Sequence, residues 1–335
     1  MYDLPPQVLR AISMLNAAGH RAYVVGGAVR ELLRGKGTVT DFDLTTSARP
    51  EETEGVFAGF RLIETGLKHG TVTVLLDGLP LEITTFRVDG TYSDGRHPDG
   101  VAFTPSLERD LERRDFTINA MAYHPQEGLI DLHGGREDLK AGLIRCVGDP
   151  DRRFAEDALR MLRAVRFAAQ LGFSIEKGTL DAIRRSARRA EKLSGERIKA
   201  ELEKILLSPR PELAGELLRL GLLAHLGGRP DCPGLLALRE EPPEPVPRWR
   251  AFCRLTGFPI AALPVERALR RGVLHPEAEA VRALALSGGE LAALGLEGPA
   301  IGAAQRRLAA HILSHPEDNT PARLLALARA ELSGP

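Results

Sequence analysis

Along the first 145 or so positions the apolar residues come in short runs whose spacing changes repeatedly. From Leu9 to Ala18 they recur at helical spacing, which predicts an amphipathic helix. Arg21 to Val25 reads as a strand that ends at Gly26 and Gly27, and Ala28 to Arg34 restarts as a helix. Asp41 to Thr45 reads as a short strand. Thr71 to Leu76 and Leu81 to Arg87 form an expected hairpin about Asp77-Gly78, a common hairpin dipeptide. Val88 to Pro105 holds Gly90, Asp94-Gly95, Pro98-Asp99-Gly100 and Pro105, and is expected to be a loop.

After Pro150 the β-like runs disappear. Phe154 to Leu171 reads as one helix stopped by Gly172. Leu180 to Leu193 and Glu196 to Leu207 follow as helices, Pro209 and Pro211 punctuate the chain, and Glu212 to Leu226 is helical again. Gly227 to Pro247 is rich in Pro and Gly and reads as a linker. The remainder is expected to be small Ala/Leu-rich helices. An α/β or α+β head followed by an all-helical body is the layout this implies, and elements segregated in that way belong to separate domains.

Composition narrows the picture a little. With 335 residues the chain suits two or three domains. Aromatics are 5%, so the core must be mostly Leu, Ala and Val. No apolar stretch approaches the ~20 residues of a membrane span. The opening MYDLPPQVLRAI has no basic segment followed by an apolar one, so no signal peptide is expected. Cys146, Cys232 and Cys253 are scattered, which argues against a disulfide framework or a zinc site and fits a reducing cytoplasm. Net charge is zero, but Arg152 to Arg210 carries fifteen Lys and Arg against eight Asp and Glu. That excess suits either a phosphate-holding surface or a solvated helical face.

Candidate chemistry begins at Asp41-Phe42-Asp43. On a strand, residues two apart share a face, and two carboxylates there repel unless a cation lies between them. Oxygen-only ligands favour magnesium, and two such ions can activate an attacking oxygen and stabilise a leaving one. Glu82 is a candidate third carboxylate, or else the structural partner of a nearby arginine. Upstream, Tyr23 to Arg30 reads as strand, Gly-Gly turn and helix. Glycines let backbone approach a phosphate, a helix start offers free N–H groups, and Arg30 could fork onto a phosphate.

Five motifs then occur in order: GGAVR, TDFDL, RRDFTINA (Arg113 to Ala120), EDALRMLRAVRF (Glu156 to Phe167) and GERIKAELEKIL (Gly195 to Leu206). Together they resemble the class II tRNA nucleotidyltransferases, the group of CCA-adding enzymes and bacterial poly(A) polymerases, over roughly residues 20 to 210. The resemblance implies an α/β nucleotidyltransferase head, DNA polymerase beta-like, at 1–148. It implies a helical neck with a nucleotide-template helix at 149–210, and a helical, tRNA-binding body and shortened tail at 211–335. It also implies the reaction: the tRNA 3′-hydroxyl attacks the α-phosphate of CTP or ATP, with magnesium as cofactor, and pyrophosphate leaves. Asp41 and Asp43 match the metal-binding aspartates. Gly27 and Arg30 match the triphosphate-binding turn, and Arg114 a nucleotide-contacting arginine. Asp157, Arg160, Arg163 and Arg166 match neck positions that contact the incoming nucleotide.

On one helix, Asp157 and Arg160 would stand side by side and could read the edge of a base, whereas Arg163 and Arg166 would rotate away towards phosphates or the support of the pocket. Lys68-His69-Gly70 fits the family pattern ahead of the hairpin. Phe86 to Arg96 matches the loop implicated in switching from C to A addition, which favours full CCA addition or A addition. Glu31 replaces the family's usual Asp, and His97 stands where RRP is usual. The rival readings are A-only addition, poly(A) synthesis and a non-catalytic tRNA-binding protein. The stretch from Arg184 to Lys204 is expected to follow an acceptor stem through its phosphates.

Overall fold

The structure is a computed structural model and describes residues 2–35, 39–63, 70–89 and 101–332. Lys68, His69 and the 90–100 part of the expected loop lie outside the described residues. The chain forms two compact units, Met1–His225 and Leu226–Pro335. Among the described residues no helix is long and apolar enough to cross a membrane.

The first unit is built on a mixed sheet. Helix α1 (Pro6–Ala17) starts with proline in its first turn and buries Val8, Ala11, Ile12 and Leu15, the single stripe its periodicity predicts. Strand β1 (Ala22–Val25) is buried at all four positions, as an interior strand covered on both faces must be. It enters α2 (Gly27–Arg34) through Gly26. Strand β2 (Asp43–Thr46) follows, then α3 (Pro50–Val56), β3 (Arg61–Ile63), β4 (Thr71–Leu76) and β5 (Leu79–Thr85). In β4, Val72, Val74 and Leu76 face the core while their neighbours are half-exposed. Asp77 and Gly78 both have positive φ, 47° and 84°, as a tight hairpin turn matching the strand twist requires.

Beyond the segment outside the described residues come α4 (Leu107–Glu112), β8 (Met121–His124), β9 (Gly128–Asp131) and α5 (Gly135–Ala141). A short pair, β6 (Arg87–Asp89) and β7 (Val101–Phe103), precedes them. The main sheet runs β3-β4-β5-β2-β1-β8-β9. Its one parallel pairing joins β2 to β5, placing Asp43 opposite Glu82. The antiparallel β1–β2 pairing sets Val25 opposite Asp43, so the end of β1 and the start of β2 share one edge of the site.

Helix α5 packs closely on the 3₁₀ turn Thr117–Asn119. A Cβ on Gly135 would lie 2.2 Å from the Thr117 carbonyl oxygen, so only glycine fits there without moving backbone. Gly135→Ala is expected to lower stability by about 2–3 kcal/mol, read as an earlier urea midpoint; an unchanged midpoint would show that the two segments part freely.

The helical part of the first unit corrects several expectations. The stretch Phe154 to Leu171 is two helices, α6 (Pro150–Glu156) and α7 (Leu159–Leu171), broken at Asp157 with φ −142° and ψ 108°. The cause is local: the Asp157 carboxylate accepts from the Leu159 N–H at 3.0 Å, capping α7 where α6 ends. The stretch Leu180 to Leu193 is α8 (Lys177–Ser186) followed by a 3₁₀ turn, Ala187–Lys192. Helix α9 (Gly195–Leu206) matches its expectation within a residue. Glu212 to Leu226 shortens to a 3₁₀ turn and α10 (Ala214–Arg219), ending just before Gly221 with φ 76°. The strand expected from Asp41 begins only at Asp43, and the loop expected from Val88 has paired ends, with Arg87 opposite Phe103 and Asp89 opposite Val101.

The second unit is helical: α11 (Pro245–Thr256), α12 (Arg267–Leu274), α13 (Pro276–Ala283), α14 (Gly288–Ala292), α15 (Pro299–Ser314) and α16 (Pro321–Leu332). Trp249 and Phe252 are fully buried, and Leu291, Leu308 and Leu324 centre a second cluster. The stretch Gly227 to Pro247 is not a free linker, since Cys232, Leu235 and Leu238 are buried and Leu235–Arg239 forms a 3₁₀ turn.

Candidate active site

The site begins where β1 ends. Gly26 has φ 69° and ψ −131°, which a side chain would strain, and it leaves room for two charged groups. A Cβ there would lie 3.3 Å from Arg114 Nη1 and 3.8 Å from Asp43 Oδ2. One bare backbone position thus faces a guanidinium and a carboxylate. At the next residue, a Cβ on Gly27 would lie 3.7 Å from Arg30 Nη2. The first-turn N–H groups of α2 have no partner within their own helix, and with Arg30 and Arg114 beside them they make a corner of positive character, of the kind that suits an anion.

Asp43 is the electrostatic centre. Burial pushes its carboxyl up, Asp41 and Glu82 push it further, and Arg114 opposes them; it stands at about 6. Asp41 lies ahead of the strand and is exposed, so strand alternation does not place it. Phe42, buried between the two aspartates, anchors them instead, and Asp41 still repels Asp43. Among the described residues no three His, Cys, Asp or Glu side chains converge on a common metal position. Glu82 lies opposite Asp43 across the β2–β5 pairing, and its charge is one of those that push the Asp43 carboxyl up. An oxygen-only pair with excess negative charge fits a hard divalent cation that keeps other ligands from water or substrate.

Arg114 is held from behind. Asp110, fully buried on α4, accepts from Arg114 Nη2 at 3.2 Å, from Arg113 Nε at 2.9 Å and from Thr45 Oγ1 at 3.2 Å. Burial alone would raise the Asp110 carboxyl, but the two guanidinium groups outweigh it and hold it below the usual carboxylate range. Sequence reading missed this residue. Its signal was present in the spacing, since Asp110 precedes Arg113 and Arg114 by three and four positions on a helical turn.

The neck residues form a second group. Arg160 does not stand beside Asp157 on one helix, because the chain breaks between α6 and α7. Arg160 is buried, and its guanidinium reaches Glu156 Oε2 at 2.7 Å and the Arg113 carbonyl at 3.0 Å. Asp157 Oδ2 accepts from Arg197 of α9 at 2.8 Å. Arg163 Nε donates to Asp115 Oδ2 at 2.8 Å, and Arg166 pairs with buried Glu201 at 2.6 Å. Burial would raise the Asp115 carboxyl, but the Arg163 charge and the Asn119 amide bring it down to about 2. Arg30 is pinned by Glu31, which also takes Arg34, and by Asn119. The aspartate-to-glutamate departure at position 31 thus keeps a carboxylate on Arg30. The structure brings Gly27, Arg30, Asp43 and Arg114 around the turn, and sets Arg163 into a half-buried ion pair and Arg166 into a buried one with other elements. Asn119, Glu156, Arg197 and Glu201, unsuspected individually, are the partners of these groups.

The sequence pattern of the poly A polymerase head domain matches residues 22–145. A second pattern, described as "Probable RNA and SrmB- binding site of polymerase A", matches residues 172–229. The CCA-adding enzyme of Leuconostoc mesenteroides is 48% identical over 230 residues, 68% of this chain and 57% of that protein. The enzyme of the same name from Geobacillus thermodenitrificans is 45% identical over 272 residues, 76% of this chain and 64% of that protein. The chain thus spans less than two thirds of these relatives. The Bacillus stearothermophilus CCA-adding enzyme in complex with CTP superposes with a TM-score of 0.73 at 33% identity, over 98% of this chain and 82% of that one. The Thermotoga maritima CCA-adding enzyme complexed with tRNA superposes with a TM-score of 0.58 at 25% identity, over 84% and 72%.

Proposed function

The chain belongs to the poly(A) polymerase and CCA-adding enzyme family, and from that premise we propose that it adds CCA to the 3′ end of tRNA from CTP and ATP without a nucleic-acid template. The carrying observation is the convergence of Asp43 and Arg114 on the bare Gly26 backbone, beside the start of α2. A polymerising nucleotidyltransferase needs carboxylates and phosphate-binding cations within one substrate's reach, and this turn supplies them. In this reading the head spans 1–148, the neck 149–210 and the body with tail 211–335, and the protein works in the cytoplasm.

Asp41 and Asp43 would hold magnesium, which when bound neutralises charge on the transferring phosphoryl group and makes the attacking hydroxyl more acidic. The chain's own residues do the rest. The Gly26-Gly27 turn and Arg30 bind the triphosphate and orient its α-phosphate. Arg114, braced by Asp110, adds positive charge on the same side. Asp157 and Arg160 present the acceptors and donors that choose the base. Their ties to Arg197, Glu156 and the Arg113 carbonyl hold them in place, as a protein template must be held. Arg163 and Arg166 support that pocket through Asp115 and Glu201.

The test is extension of three tRNA transcripts, ending at the discriminator base, at C or at CC, with magnesium and CTP, ATP or both. Completion of all three to CCA is expected. Extension of the CC-ended transcript alone, with ATP alone, would replace this reading with A-only addition; long adenylate tails would make it a poly(A) polymerase. Arg160→Ala is expected to reduce the CTP-to-ATP preference by about tenfold or more, the effect of losing one charge-assisted hydrogen bond at the base. An unaltered preference would remove Arg160 from base choice.

A further inference from the structure

Arg30 and Arg163 come from different parts of the first unit, yet they belong to one closed ring of contacts. Arg30 Nη1 donates to Asn119 Oδ1. Asn119 Nδ2 donates to Asp115 Oδ1 at 3.1 Å. Asp115 Oδ2 accepts from Arg163. Arg163 and Arg30 then both lie against the ring of Phe167, their guanidinium carbons 5.3 and 5.2 Å from its centroid. Asn119 is 6% exposed and sits at the end of the Thr117–Asn119 turn, its own N–H bonded to the Phe116 carbonyl.

The chemistry of position 119 is restrictive. A group between a guanidinium and a carboxylate must accept from the first and donate to the second, and a carboxamide does both. An apolar side chain would leave two charged groups short of a buried partner, and a carboxylate would face Asp115 with a like charge. We infer that Asn119 is a positioning residue, which aims Arg30 at the nucleotide triphosphate and ties its orientation to Asp115 and Arg163 of the neck. This rests on the reading of Arg30 as a triphosphate contact.

Steady-state kinetics with a CC-ended transcript test it. Asn119→Ala is expected to raise KM for ATP about tenfold, with kcat and KM for tRNA changed less than about threefold. Asn119→Ala added to Arg30→Ala should raise KM no further, because the amide acts through that arginine; a merely structural residue would add its own loss. If the alanine variant does not fold, Asn119→Asp decides. At neutral pH its second carboxylate opposes Asp115, but once protonated it again accepts from Arg30 and donates to Asp115. Its KM for ATP should therefore return towards the wild-type value as pH falls. An alanine variant with unchanged KM, additive losses in the double variant, or an aspartate variant whose KM ignores pH would each overturn the assignment. If Arg30→Ala itself leaves KM unchanged, the triphosphate reading of Arg30 falls and the role of Asn119 falls with it; that failure is separable because it needs no change at Asn119.

Discussion

Asp43→Asn is expected to lower nucleotide transfer by at least about a thousandfold while raising the unfolding temperature of the cation-free protein. Both effects come from one charge. In the folded chain burial, Asp41 and Glu82 push the Asp43 carboxyl up to about 6, from an ordinary 3.8. A carboxyl raised by folding is ionised at a cost, so at neutral pH the charged group weighs against the folded state by something on the order of 2 kcal/mol. That burden is relieved as pH falls from about 6 towards 4, where the folded carboxyl takes its proton before the unfolded one does. Asparagine removes the burden at every pH, and with it the charge that would hold magnesium. Transfer by the wild type at limiting magnesium should rise with pH through about 6, and added magnesium should displace the rise to lower pH because cation and proton compete. Transfer assays and thermal unfolding between pH 5 and 8, with and without magnesium, read all of this. A variant that keeps near wild-type transfer, or that melts earlier without cation, would refute the role given to Asp43.

The second large effect concerns stability. Asp110→Ala should lower it by about 3–5 kcal/mol, because it strips a fully buried carboxylate from two arginines and leaves their charges without that counterion. Asp110→Asn should lose less, since its amide oxygen can still accept from the Arg87 N–H while its NH2 donates to the Thr45 hydroxyl oxygen. The folded carboxyl is held below its ordinary value, so its contribution is present above the ordinary carboxylate range and is lost as pH falls below it. Urea midpoints at pH 7 and pH 3 measure this: the gap between wild type and Asp110→Ala should narrow in acid. Equal midpoints at pH 7 would mean that water replaces the carboxylate without penalty.

Much of this architecture is legible in residue pattern. The turn at Asp77-Gly78, the break at Gly26-Gly27 and the span of α9 all follow from local chemistry, because glycine and alternation act on their own neighbours. The helix break at Asp157 escapes that reading. Phe154, Met161, Leu162 and Val165 keep helical spacing across it, and the interrupting event is a side chain capping the backbone two residues on. The paired roots of the expected loop escape as well, since three residues on each side are too few to show alternation. At the site, the residues that match family motifs could be named in advance. Their partners could not, since Asn119 lies 89 residues from Arg30, and Asp157 lies 40 from Arg197. Long-range pairing of charges leaves no periodic trace.

The order of strands has a consequence for how the protein is made. Strand β1 delivers the chain to the Gly26 turn, yet one of its edges is closed only by β8, where Val24 pairs with Tyr123. The ribosome must therefore synthesise about a hundred further residues before the sheet around the turn is complete. Until then one edge of β1 lacks its partner strand, and Asp110 and Arg114 are added only well after Asp43. The corner at Gly26 can therefore close only late in synthesis, after most of the head has been made.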